Sequence, residues 1–370
     1  MSKRDWIKKN KKKKSSFDWS LFFLVAGLTF FGVLMVYNAS VVEAYRVFGD
    51  KYYYLKNQAL WVLIGFFIMV VVSKVDYRVL KKISGPLFLM NLILLILVLI
   101  PGIGSQIKGA RRWLNLSFFI LQPSELIKLT LSIYLATWLL KKRSFWQLLV
   151  LIAVVSILIV LEPDLGTLVV IISNAFLVYF LSGASILKLL PLTAVSFLSG
   201  LFMVFSSAYR KSRFLTFLDP SRDPLGSSYH ISQVLIALGA GGIFGLGLGQ
   251  SRQKYEFLPE ATTDSIFAVI AEELGFAGAS VIILLFLVIL IKGLLITRRT
   301  TDKFGRLLAG GITGWIGIQT FINLGAMVSL VPLTGMPLPF ISYGGSSLIV
   351  ALTGIGILLN ISKYSTKTKN

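Results

Sequence analysis

The 370-residue chain contains no cysteine and a single histidine, His230, which removes disulfides, thiolate nucleophiles and Cys- or His-rich metal centres from consideration. Acidic side chains are scarce as well: 16 Asp and Glu stand against 37 Lys and Arg, a formal charge of +21. Only 14% of residues are charged and 55% are hydrophobic, with a mean hydropathy of +0.80, above the roughly 45–50% apolar share of a soluble domain. These proportions exclude an ordinary cytoplasmic enzyme. The chain also has no Gly-x-x-x-x-Gly-Lys-Ser/Thr loop for nucleotide phosphates. Any chemistry must therefore run on carboxylates, cations and hydroxyls.

What remains is long apolar segments. The run near 19–37 follows a tail whose first 14 residues carry eight basic side chains; it is too long and wrongly flanked for a cleavable signal, and reads as a retained span. Further spans are predicted near 58–73, 85–101, 125–140, 145–161, 166–183, 186–208, 265–291, 307–330 and 341–361, each close to the length that crosses a bilayer. The expectation is an all-α polytopic membrane protein of ten transmembrane helices, with a large extracytoplasmic loop, 207–264, between helices 7 and 8. Residues 16–362 form one membrane domain, between a basic cytoplasmic tail, 1–15, expected to be disordered, and a cytoplasmic tail, 363–370.

Segment 231–249 tests that count, because it is apolar but holds six glycines, which weaken a plain helix. If it crossed, the basic loop 292–306 and the C-terminal tail would lie outside. Read as re-entrant or surface-lying, it leaves 24 basic residues on the cytoplasmic side against 12 outside, as the positive-inside rule demands. The excess positive charge then reports topology and not nucleic-acid binding, and the 239–249 stretch is placed flat near the membrane surface.

Ionisable groups near lipid are costly unless paired or facing a polar cavity, so they are candidate functional residues. Glu125, Glu162, Asp164, Glu256, Glu260, Asp264, Glu272 and Glu273 all fall in or beside the outer halves of spans or in the large outer loop. Thr262 or Thr263 can cap the helix that follows, which puts Asp264 in its first turn and Glu272 about two turns deeper on a similar face. Asp264 as a simple helix-terminal anion is the alternative. Arg111 and Arg112 beside Trp113 suit a lipid headgroup or pyrophosphate, since guanidinium groups bind phosphate in a forked geometry; interfacial anchoring explains them equally. Lys128 lies a turn inside a span and pairs by spacing with Glu125, as a structural couple or as a ligand contact. Three prolines and three glycines break the stretch 332–347, and broken backbone at membrane depth lines protein or a cavity; Ser342, Tyr343, Ser346 and Ser347 are its polar side chains.

Taken together, Gly109-Ala110-Arg111-Arg112-Trp113, Gln122-Pro123-Ser124-Glu125, Pro163-Asp164-Leu165-Gly166-Thr167, Leu258-Pro259-Glu260 with Thr263-Asp264, Glu272-Glu273-Leu274-Gly275 and Pro337-Leu338-Pro339-Phe340-Ile341-Ser342-Tyr343-Gly344-Gly345-Ser346-Ser347 resemble the SEDS family (shape, elongation, division and sporulation) of polytopic peptidoglycan polymerases over nearly the whole chain. Asp219-Pro220 to Asp223-Pro224, Tyr229-His230-Ile231 and Pro259-Glu260-Ala261 look closer to its cell-division branch. The resemblance implies ten spans with both termini cytoplasmic, and a bacterial cytoplasmic-membrane enzyme that joins lipid II units into glycan strands on the outer face. Asp264 maps onto the catalytic acid, and Glu256 onto a second important acid. Arg111, Arg112, Lys128, Arg210, Arg252 and Lys254 are candidate cations for the pyrophosphate, with Glu260, Ser342, Tyr343, Ser346 and Ser347 near the substrate and Glu125, Asp164, Glu272 and Glu273 in support. A divalent ion, Mg²⁺ or Mn²⁺, could share the charge, though no residue cluster identifies one. A class B penicillin-binding protein is the implied transpeptidase partner, alongside other cell-division or elongation proteins. Two departures flank the acid: Thr262 replaces a histidine common in relatives, and Ser265 stands where phenylalanine is usual. A lipid II transporter and a noncatalytic scaffold for a transpeptidase are the competing readings.

Overall fold

The computed structural model describes residues 17–107, 110–116, 119–141, 143–184, 205, 208–219, 223, 226, 228–255 and 257–365. Its helices are α1 (Trp19–Phe48), α2 (Tyr53–Lys74), α3 (Arg78–Leu99), α4 (Pro123–Trp138), α5 (Phe145–Leu161), α6 (Leu165–Leu181), α7 (Ala208–Leu218), α8 (Tyr229–Ala240), α9 (Ile266–Arg299), α10 (Lys303–Met327) and α11 (Gly345–Tyr364). Six of them (α1, α2, α3, α9, α10 and α11) are long and apolar enough to cross a membrane, and α5 and α6 are shorter apolar helices. The chain is thus an all-α polytopic bundle. The predicted span 186–208 lies almost wholly outside the described residues, so the count of ten rests on the sequence.

Burial separates centre from rim. In α10 and α11, 72% of the apolar window is buried, against 22–39% in α1, α2, α3 and α9, so the first two form the axis and the others present apolar side chains outward. The axis can be dense because its residues are small. A Cβ on Gly356 of α11 would meet the Met69 backbone of α2 at 2.6 Å. Gly310 and Gly314 of α10 likewise sit against Leu181 and Leu177 of α6.

Polar contacts sort the chain into two ends. At one, Asp18 meets Ser362 and Lys292, Lys363 donates to the Ser73 carbonyl, and Tyr77 binds Asn360 and Asp302. The starts of α1 and α10 and the ends of α2, α9 and α11 therefore share a face. By the direction of the chain, the turns after α1, α3, α5 and α10 lie at the other end, as does the stretch before α9.

Two features depart from the sequence reading. The first is a small three-stranded antiparallel sheet in the 101–123 connection: β1 (Gly104–Ile107), β2 (Ala110–Asn115) and β3 (Ile120–Leu121), in the order β1-β2-β3. A segment of this length facing solvent must satisfy its own backbone, and hairpin pairing does so; the side-chain pattern of so short a run gave no strong period.

The second is the glycine-rich segment. After the 12-residue α8, about 18 Å long and too short to cross, the chain pairs its backbone with a break in α9 at Gly275 (φ 69°, ψ −172°), a partnership the sequence did not announce. The break releases the helical bonds that would join the Phe276 and Ala277 N–H groups to the Glu272 and Glu273 carbonyls. Both carbonyls instead accept from Leu246 and Gly247 N–H at 3.0 Å, while Phe276 and Ala277 donate to the Gly242 and Ile243 carbonyls at 2.8 and 3.0 Å. Only glycine fits at this crossing: a Cβ on Gly245 (φ 82°) would lie 2.1 Å from the Glu273 carbonyl oxygen, and one on Gly275 lies 2.3 Å from the Gly245 nitrogen.

Candidate active site

The stretch from Glu260 to Ser265 folds as a tight turn before α9. Glu260 adopts φ 54°, and its carbonyl accepts from Thr263 N and Ser265 N, both at 3.1 Å. Positive φ at a bulky residue is costly and concentrates where surrounding contacts enforce it. Ser265 is the N-cap but makes no capping bond with its side chain. Asp264 thus lies just ahead of the helix, where the sequence placed it in the first turn, because the turn closes onto Glu260 and takes two more residues.

Asp264 is 6% exposed. It lines a narrow crevice with Asn323, Ala326 and Met327 of α10 and residues 333–336. Asn323 Nδ2 donates to the Asp264 carbonyl at 2.9 Å and to the Met336 carbonyl at 2.7 Å, tying the acid's backbone to the broken segment opposite. Thr263 Oγ1 reaches Glu260 Oε2 at 2.8 Å and Asp264 Oδ1 at 3.3 Å. The carboxylate faces Gly335 (φ 71°), whose virtual Cβ is 3.9 Å from Oδ2. As it stands the crevice admits nothing as large as a sugar ring.

Ser342 and Tyr343 hold the same turn. Ser342 Oγ donates to the Thr263 carbonyl and accepts from Leu338 N, and Tyr343 N donates to the Thr262 carbonyl at 2.9 Å. Ser346 bridges Gln122 N and the Ile120 carbonyl, each at 3.1 Å, while Ser347 sits in the first turn of α11. One turn of backbone beside the acid is therefore clamped by the Pro/Gly-rich segment that the sequence marked as cavity-lining.

Lys128 and Glu125 form a buried pair at 2.7 Å. The ammonium also donates to Gln319 Oε1 at 2.8 Å, and Gln319 Nε2 reaches the Pro337 carbonyl at 2.9 Å. Gln319 and Asn323 stand four apart on one face of α10, and they join the lysine, the acid and the broken segment. The sequence reading overlooked both; two amides at helical spacing in an apolar run were the available signal.

Other candidates lie apart from the crevice. Lys254, 5% exposed, is engaged by Asn38 Oδ1 at 2.8 Å, the Gly249 carbonyl at 2.6 Å and Glu273 Oε1 at 3.1 Å. Glu272 accepts from Ser251 Oγ, Arg252 N and Gln253 N. Glu272 therefore faces the 251–253 loop, not the space beneath Asp264, because the break at Gly275 joins this part of α9 to the glycine-rich insertion. These acids fasten the segment 249–254 to α9. Arg252 contributes its backbone there, and its side chain is exposed. Arg111 lies in β2, paired in register with Gln106. Glu256 is outside the described residues, as is the side chain of Arg210. Among the described residues, no group of three or more His, Cys, Asp or Glu could hold a metal ion.

Arg112 binds the Glu162 and Pro163 carbonyls, bringing β2 to the turn between α5 and α6. In that turn Asp164 caps α6, accepting from Thr167 N at 3.1 Å. Glu162 is fully buried. Burial, with Asp164 adding to it, pushes the Glu162 carboxyl up to about 8, against weaker opposition from Ser124 and Arg112. Between an unfolded value of 4.5 and a folded value of about 8, the native state binds the extra proton, so this group's stabilisation is full at low pH and falls as pH rises through that window. Glu162→Gln is expected to melt higher than the parent at pH 8 and to flatten the decline between pH 5 and 8, as read by thermal denaturation in detergent; parallel curves for the two proteins would contradict the assignment.

These features define a polytopic membrane protein with a buried acid at one end of its bundle, held beneath a broken, proline-rich segment. Residues 18–367 match the FtsW/RodA/SpoVE family, described as cell cycle proteins, and the chain belongs to that family. It is 41% identical to the probable peptidoglycan glycosyltransferase FtsW of Geobacter metallireducens, over 96% of this chain and 97% of that one. It is also 41% identical to the stage V sporulation protein E of Bacillus subtilis, over 95% and 99%. Among solved structures it resembles one described as structural coordination of polymerization and crosslinking by a peptidoglycan synthase complex (TM-score 0.76, 31% identity, 94% of this chain and 97% of that one). The rod shape determining protein RodA of Thermus thermophilus is similar as well (TM-score 0.69, 28% identity, 95% and 98%).

Proposed function

We infer that this chain is a peptidoglycan glycosyltransferase that polymerises lipid II at the crevice containing Asp264. The observation that carries the reading is the union of family membership over residues 18–367 with a buried carboxylate whose backbone is fixed by Asn323 and the 336–343 segment. In the proposed reaction the 4-hydroxyl of the acceptor GlcNAc attacks C1 of the donor MurNAc with inversion. Asp264 takes the hydroxyl proton, the C1–O bond to phosphate breaks, and undecaprenyl pyrophosphate leaves with the electron pair. Because the donor already carries its leaving group, the reaction needs no nucleotide. Arg252, exposed, and Arg111, half-buried on β2, are the cations proposed to meet the pyrophosphate, whereas Lys128 and Lys254 are engaged inside the protein and act by holding the site's frame.

The proposed topology has ten spans, both termini in the cytoplasm, and 207–264 outside. The contacts joining residues 18, 73, 292, 302 and 362 at one end support it. A single cysteine placed in 292–306 is expected to resist a membrane-impermeant maleimide in whole cells and to react after permeabilisation; labelling in intact cells would reverse the topology. The proposed cross-linking partner is a class B penicillin-binding protein, a reading supported by the likeness to a peptidoglycan synthase complex described as coordinating polymerization and crosslinking. Reconstitution with labelled lipid II, scoring polymer and movement between leaflets separately, distinguishes this polymerase from a carrier.

A further inference from the structure

The sequence's one histidine lies beside the proposed base. His230, in the first turn of α8, shares a hydrogen bond of 2.7 Å between its Nε2 and Ser265 Oγ. Ser265 is fully buried and directly follows Asp264. Its hydroxyl would ordinarily cap α9, yet no capping bond forms; the side chain is committed instead to a contact with a different element. On its other side His230 lines a cavity of about 300 Å³, with Ser212, Arg213, Thr216 and Phe217 of α7 and Leu333 among its walls. Leu333 also lines the Asp264 crevice, so the two spaces adjoin.

We propose that His230 is a positioning residue for Asp264, acting through Ser265. The turn bearing the acid, whose carbonyls are clamped by Asn323, Ser342 and Tyr343, is then also held by His230 of α8 through the side chain that follows the acid. Loss of this contact lets the turn shift through the φ and ψ angles of Asp264 and Ser265 and carries the carboxylate with it, and displacement of a reacting group by about 1 Å can cost ~10²-fold in rate. The small, polar side chain of Ser265 makes the bond to His230 possible. Either imidazole tautomer satisfies the contact, since the serine hydroxyl both donates and accepts. A glutamine amide can do the same, but alanine cannot.

The proposal rests on Asp264 being the base, so the test carries that reading as a separate arm. Purified full-length protein with its transpeptidase partner is assayed with labelled lipid II, and kcat and KM are determined for the parent, His230→Ala, His230→Gln, Ser265→Ala, the His230→Ala/Ser265→Ala double variant and Asp264→Asn. His230→Ala and Ser265→Ala should each lower kcat about tenfold or more with little change in KM. The double variant should be no worse than either single one, and His230→Gln should recover most of the lost kcat. If His230→Ala does not yield folded protein, Ser265→Ala and His230→Gln decide. Parental kcat in Ser265→Ala, loss confined to KM, or additive losses in the double variant would overturn the positioning role. If Asp264→Asn polymerises at the parental rate, the assignment of the base fails instead, whatever the histidine variants do.

Discussion

Asp264→Asn should reduce lipid II polymerisation by about 10²–10⁴-fold, the usual contribution of a general base, while leaving a protein that inserts and melts normally. Asparagine keeps the shape and the contact to Thr263, so the Asn323 clamp on the backbone carbonyl is unaffected. Only the ability to take the acceptor's proton is lost. A gel-resolved glycan product from equal amounts of folded protein measures the effect. Activity at the parental rate would favour a scaffold over an enzyme, and the same result is expected if Asp264 is only an anion near a helix terminus.

The second large effect is on folding. Lys254→Met is expected to destabilise the protein by about 3–5 kcal/mol, the cost of removing one partner from a buried ion pair. Lys254 and Glu273 meet at 3.1 Å with side chains 4% and 0% exposed. Asn38 joins both, donating to Glu273 and accepting from Lys254, so the pair fastens the outer loop, α1 and α9 at one point. Removing the lysine leaves Glu273 charged or forces it to bind a proton. Lys254→Met/Glu273→Leu should regain much of the loss, because replacing both members of a buried pair is far less costly than breaking it. Melting followed by size-exclusion chromatography in detergent checks both variants; an unchanged midpoint for Lys254→Met would show that the network carries little.

Much of this architecture could be read from the sequence for a physical reason: twenty-residue apolar runs have few ways to be satisfied other than crossing a bilayer. The apolar segments that became α1 to α6 and α9 to α11 were visible as such. So was the interruption at 332–347, because three prolines cannot continue a helix. The partnership of the turn at 260–265 with that interruption was not visible, since it depends on backbone carbonyls of Thr262, Thr263 and Met336, which carry no sequence signature. The role of segment 241–249 was half legible. Its glycines announced unusual backbone, but only the break at Gly275 shows that they complete another helix's hydrogen bonds. Lys254 read as a candidate cation for the pyrophosphate because the sequence shows only a residue's chain neighbours. Its actual partners, Asn38 and Glu273, come from α1 and α9.

Whether Asp264 meets the acceptor sugar is decided by a cryo-EM structure of the protein bound to a lipid II analogue that cannot transfer its sugar. Segment 333–336 is expected to have moved aside, with the acceptor 4-hydroxyl about 2.6–3.2 Å from the Asp264 carboxylate, the reach of a general base. A bound headgroup elsewhere in the bundle, with Asp264 still closed beneath Gly335 and Met336, would contradict it.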